Sequence, residues 1–212
     1  MSSKVRDVMT RNVVSVRTYA EFKEILHVLR ERHFSAFPVL DEDDRVIGVV
    51  SEDDLLVKEA RPAGLSGGGI LGNRAGRSKA AGLLAGELMT RPAITIGPEA
   101  TVADAARRMH AHHVKRLPVV TDENRLVGIV SRIDLLGVYD RPDGDIAKEI
   151  LDEVIEGQFM LERLAFEVKV VSGVVTIRGP VTGQSVALSL LDSVRRVDGV
   201  ISVRDRLHYP AS

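Results

Sequence analysis

Residues 46–56 read VIGVVSEDDLL, and residues 126–136 read LVGIVSRIDLL. Both stretches carry a glycine, a Val-Ser pair and an Asp-Leu-Leu triplet, and 80 residues separate each position from its counterpart. The same separation relates Met9–Arg11 to Met89–Arg91. A repeat that keeps its register without a gap indicates a duplicated structural unit.

Each copy shows the same change of hydrophobic periodicity along the chain. Apolar residues first recur with the i, i+3, i+4, i+7 spacing of an amphipathic helix. Two short β-branched runs follow, separated by a polar turn, so each copy is predicted to fold as β-α-β-β-α. The helical stripes are Phe22, Ile25, Leu26 and Leu29 in the first copy and Val102, Ala105, Ala106 and Met109 in the second, and the strand pairs are 37–40 with 46–50 and 117–120 with 126–130.

The order Met-Thr, helix, Pro-Val, turn and Gly-x-x-Ser-x-x-Asp-Leu-Leu occurs twice and resembles the CBS (cystathionine-β-synthase) domain family over about residues 5–57 and 85–137. The resemblance implies a pseudo-two-fold tandem pair, with one CBS domain at 1–60 and the other at 85–140. It also implies that the clefts between the copies bind an adenosine nucleotide such as AMP, ADP or ATP as a regulatory ligand. Members of the family commonly associate as homodimers, so a homodimer is expected.

Residues 61–84 separate the copies and are rich in glycine, with basic but no acidic side chains. Glycine loses much conformational freedom on ordering, which favours a flexible linker. A mobile cationic flap over ligand phosphates is the alternative. Residues 72–78 lack the G-x-x-x-x-G-K-[ST] spacing, so a phosphate-binding P-loop is rejected.

The last third of the chain has a different pattern. Asp145 is predicted to cap a helix, and alternating apolar residues from Leu164 onward predict a hairpin that turns at Ser172-Gly173. A second helix ending at Asp198-Gly199 and a final strand complete an α-β-β-α-β unit at 145–210. The predicted fold class is therefore α/β, of the α+β type, with two β-α-β-β-α units and one smaller domain.

The segments Val170–Gly179 and Val197–Val200 make this smaller domain resemble the BON family, modules associated with bacterial envelope and osmotic-stress proteins. The resemblance implies docking to a phospholipid surface or to a partner. From Arg141 to Ser212 there are nine basic and eleven acidic residues, a balance that opposes attraction to anionic lipid. Lipid contact and protein docking both stay open.

Ser51 and Asp54, like Ser131 and Asp134, lie where a predicted strand ends and a helix begins. The Ser-x-x-Asp spacing is that of a capping box, in which both side chains satisfy backbone groups. The same helix start presents N–H groups to an anion, and a carboxylate there can accept two ribose hydroxyls. The resemblance to CBS pairs implies this second role. Capping and nucleotide binding both stay open.

The two predicted clefts differ in charge. Lys115 and Arg116 precede the Pro-Val pair of the second copy, where the CBS family often places cations that contact phosphate, and Arg132 follows nearby. Phosphate binding is therefore predicted to depend on the second copy, with a solvated basic surface as the alternative. The matching positions of the first copy carry no cation: Ser35, Ala36 and Glu52.

An apolar adenine slot is implied where Val14 and Ile94 lie, beside Val13 and Ala93. In the CBS family the backbone of this slot also bonds the base. Ordinary core packing of these four side chains is the alternative.

Composition limits the other functions. The chain of 212 residues has 29 basic and 30 acidic side chains, so its overall charge does not favour nucleic acid. Without cysteine it has neither disulfides nor thiolate zinc sites. His110 and His113 share a predicted helix face, but no carboxylate partner is evident, and no metal site is predicted.

No arrangement of residues points to catalysis, so a sensor without enzymatic activity is predicted. The sequence shows neither a secretory signal nor a long apolar run, and a cytoplasmic location is expected. The alternative function is a structural or envelope-stress adaptor whose CBS pair only dimerises.

Overall fold

The structure is a computed structural model that describes residues 3–32, 35–60 and 84–208. Only Leu84 of the predicted linker 61–84 belongs to these residues. The flexible linker and the cationic flap therefore lie outside the described residues and stay predictions. No helix in the described parts of the chain is both long enough and apolar enough to span a membrane.

The first copy is built on a three-stranded sheet. Its elements are α1 (Val5–Val8), β1 (Val16–Arg17), α2 (Phe22–Arg32), β2 (Ala36–Leu40), β3 (Val46–Ser51) and α3 (Glu52–Ala60). β2 is the central strand, parallel to β1 and antiparallel to β3. Ile25 and Leu29 of α2 share one buried core with Phe37, Val39 and Val50 of the sheet. Three residues of the predicted stripe, Phe22, Ile25 and Leu29, therefore pack against the sheet, whereas Leu26 of that stripe is 38% exposed.

The second copy repeats this order with one difference. Its elements are α4 (Ala85–Leu88), α5 (Val102–Ala111), β4 (Arg116–Val120), β5 (Leu126–Ser131) and α6 (Arg132–Leu136). β4 and β5 form a two-stranded sheet, and the expected first strand is reduced to a single parallel bridge between Ile96 and Val119. Gly97 and Pro98 follow Ile96, and proline has no N–H group with which to continue a strand ladder.

The Met-Thr segment of each copy pairs with the last strand of the other copy. Thr10 and Ile129 exchange two main-chain hydrogen bonds of 2.9 Å. Thr90 and Val49 exchange two of 2.9 and 3.1 Å. The two pairings are related by the same 80-residue separation as the repeat. The two copies of the repeat therefore exchange equivalent segments: each provides a Met-Thr segment that pairs with the last strand of the other.

The chain packs as two compact units. One contains Thr10–Pro98 and Arg116–Ile129, and the other contains Met1–Met9, Glu99–Lys115 and Val130–Ser212. Each unit combines segments of both copies, and all four residues of the exchanged pairings lie in the first of these units. The domain boundaries expected from the sequence stay predictions.

The last third has the predicted α-β-β-α-β order. Its elements are α7 (Asp143–Glu149), which continues as a π-helix (Ile150–Gln158), β6 (Glu167–Val171), β7 (Val174–Pro180), α8 (Gln184–Arg195) and β8 (Ser202–His208). β7 lies between β6, to which it is antiparallel, and β8, to which it is parallel. The core joins Ile146 and Ile150 to Ile177 of the sheet and Leu190 of α8.

The hairpin turn is held by the start of α7. Ser172 and Gly173 have φ angles of 49° and 73°, which a two-residue turn of this kind requires. Asp143 accepts their N–H groups at 2.7 and 2.9 Å. The prediction that Asp145 caps this helix is wrong, because α7 begins at Asp143 with Pro142 in the cap position. The predicted start of the hairpin pattern at Leu164 is also wrong: β6 begins at Glu167, and Leu164 precedes it in a 3-10 turn and is 89% exposed.

Candidate functional site

The start of α3 brings Ser51 and Asp54 together. Asp54 Oδ2 accepts hydrogen bonds from the Ser51 N–H at 2.8 Å and from Ser51 Oγ at 2.6 Å. Ser51 Oγ also accepts the Asp54 N–H, at 3.4 Å. The capping arrangement expected from the Ser-x-x-Asp spacing is therefore formed, and both residues stay half-buried.

Ser131 and Asp134 repeat this arrangement at the start of α6. Asp134 Oδ2 accepts the Ser131 N–H and hydroxyl, each at 2.7 Å, and Ser131 Oγ accepts the Asp134 N–H at 3.4 Å. In each copy Oδ2 of the carboxylate holds the helix start. The other oxygen, Oδ1, is the one that remains for a different group, since a carboxylate accepts at both of its oxygens.

In the first copy, Oδ1 of Asp54 accepts a hydrogen bond from a residue of the second copy. Thr90 Oγ1 donates to it at 3.0 Å. Thr90 lies here because its main chain pairs with Val49, which is two residues before the end of β3. Sequence reasoning did not assign Thr90 a role, although the repeated Met-Thr pair was the signal that singled out this position.

Arg116, at the first position of β4, reaches the same helix start from the second copy. One of its guanidinium nitrogens donates to Ser35 Oγ. The carbonyl of Ser35 accepts the N–H of Glu52, the first residue of α3, at 3.1 Å. A guanidinium, the first turn of a helix and the Asp54 carboxylate therefore converge, and this combination suits a ligand that carries both an anionic group and hydroxyls.

Lys115 and Arg132 lie beside the helix start of the second copy. The Arg132 N–H donates to the Lys115 carbonyl at 3.1 Å, the counterpart of the bond between Glu52 and Ser35. The Arg132 guanidinium also donates to the Val114 carbonyl at 3.1 Å. Both side chains are exposed. The structure thus brings these two predicted cations to one place, beside Ser131 and Asp134.

The residues predicted to line an adenine slot are half-buried and lie outside the strands. Val14 packs against the core of the first copy, which includes Val16 and Leu55. Ala93 packs against a small cluster around Leu40, and Ile94 adjoins it in the chain. Core packing was the alternative to an adenine slot for these four residues, and Val14 and Ala93 do pack against core clusters.

The histidines form no metal centre in the described residues. His110 and His113 have ring centroids 6.4 Å apart. Within the described ranges, no group of three or more His, Asp or Glu side chains is arranged to hold a metal ion.

The sequence matches the family model of the CBS domain at residues 5–60 and 85–141, more than half of the chain. The matched residues end before α7 begins. The match therefore covers both copies of the repeat and stops short of the smaller C-terminal domain.

Two curated proteins are similar in sequence to part of this chain. One is an uncharacterised protein of Methanocaldococcus jannaschii, 30% identical over 172 residues, which are 79% of this chain and 40% of that protein. The other is homoserine O-acetyltransferase of Methanococcoides burtonii, 30% identical over 136 residues, which are 63% of this chain and 23% of the enzyme. The chain spans less than half the length of either relative.

A solved structure shares the fold of the repeated part. The crystal structure of CBSX2 in complex with AMP is 29% identical in sequence and superposes with a TM-score of 0.53. The similarity covers 63% of this chain and 93% of CBSX2.

Proposed function

The chain belongs to the CBS domain family, and we propose that its paired copies form a regulatory module that binds an adenosine nucleotide without catalysing a reaction. The AMP bound to CBSX2 supports this class of ligand. The region shared with homoserine O-acetyltransferase is 23% of that enzyme, so most of the enzyme lies outside it. This supports a role other than catalysis for the shared region.

The observation that carries the proposal is the convergence of Asp54, Thr90 and Arg116 at the start of α3. Asp54 Oδ1 accepts the ribose hydroxyls of the nucleotide, because Oδ2 is engaged in the helix cap. Arg116 binds the phosphate, assisted by the N–H groups of the helix start. The ribose and phosphate contacts of this site thus come from different copies.

Regulation follows from the hydrogen bond between Thr90 and Asp54. A ribose hydroxyl and the Thr90 hydroxyl compete for the same carboxylate oxygen. Binding therefore acts on a segment that joins the two copies, since Thr90 also pairs with Val49. A ligand shifts an equilibrium between two conformations only by its difference in affinity for them, and this competition provides such a difference.

The second site of the proposal contains Ser131 and Asp134, with the cations Lys115 and Arg132. Asp134 takes the ribose position there, and the exposed cations contact phosphate. In the first site, the base of the nucleotide is proposed to pack against Val14 and Ile94, which belong to the same compact unit as Asp54. The half-burial of both side chains supports this role, because an apolar surface open on one side is what a stacked base needs.

The smaller domain is proposed to be a BON-like module that docks a protein partner or a phospholipid surface. Its α-β-β-α-β order supports the assignment. The pair is further proposed to form a homodimer, which the exposed apolar residue Leu56 supports, with 62% of its surface accessible. The cytoplasmic location stays a prediction.

Native mass spectrometry of the freshly purified full chain, followed by titration calorimetry with AMP, ATP and adenosine, tests the proposal. We expect a retained or titratable adenosine nucleotide and a mass of two chains. Failure of all three ligands to bind at millimolar concentration would instead support the adaptor function. A monomer at micromolar concentration, with and without AMP, would exclude the homodimer.

A further inference from the structure

A cavity of about 530 Å³ lies where α5 and α6 meet the end of α8, all within one compact unit of the chain. Its volume falls in the range of roughly 300–1,000 Å³ that is typical of small-molecule sites. None of the nine residues proposed for nucleotide binding lines it. We propose that this cavity is a separate ligand site for an amphipathic anion, with an apolar body and a single carboxylate or phosphate group.

The apolar part of the ligand is indicated by the walls. Ala103 and Ala106 of α5 line the cavity together with Val197 and Val200, which follow α8. Leu136 and Tyr139 complete this surface, and they are 57% and 52% exposed. Large apolar side chains left accessible beside a concavity are typical of ligand grooves, because a bound apolar group removes their surface from water.

The anionic part is indicated by the charges at the cavity. Three of its lining residues are arginines, at positions 107, 195 and 196. Arg107 is paired with Asp104, and Arg196 with Asp192. The side chain of Arg195 has no hydrogen bond or ion pair with any other residue that the structure describes. It is therefore the cation available to an incoming anion.

The carboxyl groups near the cavity are already engaged. The Thr101 hydroxyl donates to Asp104 at 2.6 Å, and this bond, together with the Thr101 N–H and Arg107, lowers the pKa of Asp104. Asp198, the acid that lines the cavity, accepts the Ser3 N–H at 2.6 Å. Both acids thus have hydrogen-bond donors in the chain, whereas the guanidinium of Arg195 has no partner among the described residues.

Titration calorimetry of the full chain tests the site with octyl phosphate and octanoate as probes. Octyl glucoside, which has the chain without the charge, and inorganic phosphate, which has the charge without the chain, serve as controls. Both octyl anions are expected to bind at least tenfold more tightly than either control. The comparison of octyl phosphate with octanoate shows which head group the site prefers.

Arg195→Gln should weaken binding of the octyl anions about tenfold or more, since the charge-assisted hydrogen bond is lost. Arg204→Gln, on β8 and away from the cavity, is the matched control and should leave binding unchanged. Ala106→Phe, which fills the cavity from an exposed helical position, should abolish binding. The proposal is overturned if neither anion binds at millimolar concentration, if octyl glucoside or phosphate binds equally well, or if Arg195→Gln behaves as the wild type.

AMP titrated into the same variants separates this proposal from the nucleotide site. Arg195→Gln and Ala106→Phe are expected to bind AMP as the wild type does. Loss of AMP binding in these variants would mean that the cavity belongs to the nucleotide site and is not a separate one.

Discussion

Thr90 donates its hydroxyl to Asp54 Oδ1 at 3.0 Å, although 36 residues separate them in the chain and they belong to different copies of the repeat. The contact is made because the main chain of Thr90 pairs with Val49, near the end of the strand that leads to Asp54. It links the exchange of segments between the copies to the proposed ribose-binding carboxylate.

Replacing Thr90 by valine removes this hydrogen bond and keeps the shape of the side chain. The main-chain bonds to Val49 do not involve the hydroxyl, so the fold is expected to persist. Urea unfolding should show a loss of about 0.5–1.5 kcal/mol, the usual net value of one hydrogen bond. The same variant should bind adenosine more tightly, because Asp54 Oδ1 no longer has a competing donor. Thr10→Val, at the equivalent position of the other copy, is the control; equal or weaker adenosine binding by Thr90→Val would contradict the competition.

Asp54→Ala should lose the preference for adenosine over 2′-deoxyadenosine, because the carboxylate that accepts the ribose hydroxyls is removed. Loss of the helix cap should also lower the free energy of unfolding by about 1 kcal/mol. Asp134→Ala removes the equivalent cap from α6 and tests the ribose contact proposed for the second site. Calorimetry with both nucleosides measures the preference, and an unchanged ratio of affinities in both variants would exclude a ribose contact by these residues.

Arg116→Ala should weaken AMP binding about tenfold or more and affect adenosine little, because a charge-assisted hydrogen bond to phosphate contributes about 1.5–3 kcal/mol. Lys115→Ser, next to it in the chain, tests the other proposed phosphate site. Titrations at two salt concentrations distinguish a direct contact from a general effect of charge, which salt screens. If both variants bind AMP with wild-type affinity, the cations have no role in nucleotide binding.

Gly48→Ala should destabilise the protein by about 1–3 kcal/mol, the usual cost of overpacking. A Cβ atom at Gly48 would lie 2.5 Å from Met89 Sδ and 3.0 Å from the Thr90 carbonyl. Adding Met89→Ala should restore part of the loss, because the closest atom is then absent. Gly97→Ala, whose Cβ has no atom of a described residue within 4 Å, is the control. Equal stability of the Gly48 and Gly97 variants in urea would contradict the close approach of the two copies.

Asp143→Ala should destabilise the C-terminal domain by about 1–3 kcal/mol, since two N–H groups of the hairpin turn lose their acceptor. Asp145→Ala, on the same helix and exposed, should have little effect. Hydrogen exchange at Ser172 and Gly173 gives a local measurement: it should accelerate only in the Asp143 variant. The opposite ranking of the two variants would support the cap predicted at Asp145.

Local patterns in the sequence determined the elements and the capping boxes of this protein. The repeat, the helices α2 and α5 and the Ser-x-x-Asp caps depend on residues close together in the chain, so spacing alone predicts them. The same spacing also placed Leu26 and Ala106 on the buried stripes of these helices, although both are exposed. The Ser172-Gly173 turn was predictable for the same reason. Asp145 was assigned wrongly because several acids lie near the start of α7, and only the path of the hairpin shows that Asp143 meets it.

Only the tertiary structure shows which copy contributes residues to which site. Periodicity does not indicate that Thr90 pairs with β3 and Thr10 with β5, because such pairing joins segments that are far apart in the chain. The cations of the second copy are likewise adjacent in sequence, yet the Arg116 side chain contacts Ser35 of the first copy. The physical reason is that hydrogen bonds between distant strands depend on how the two copies pack, and this information is spread over the whole chain.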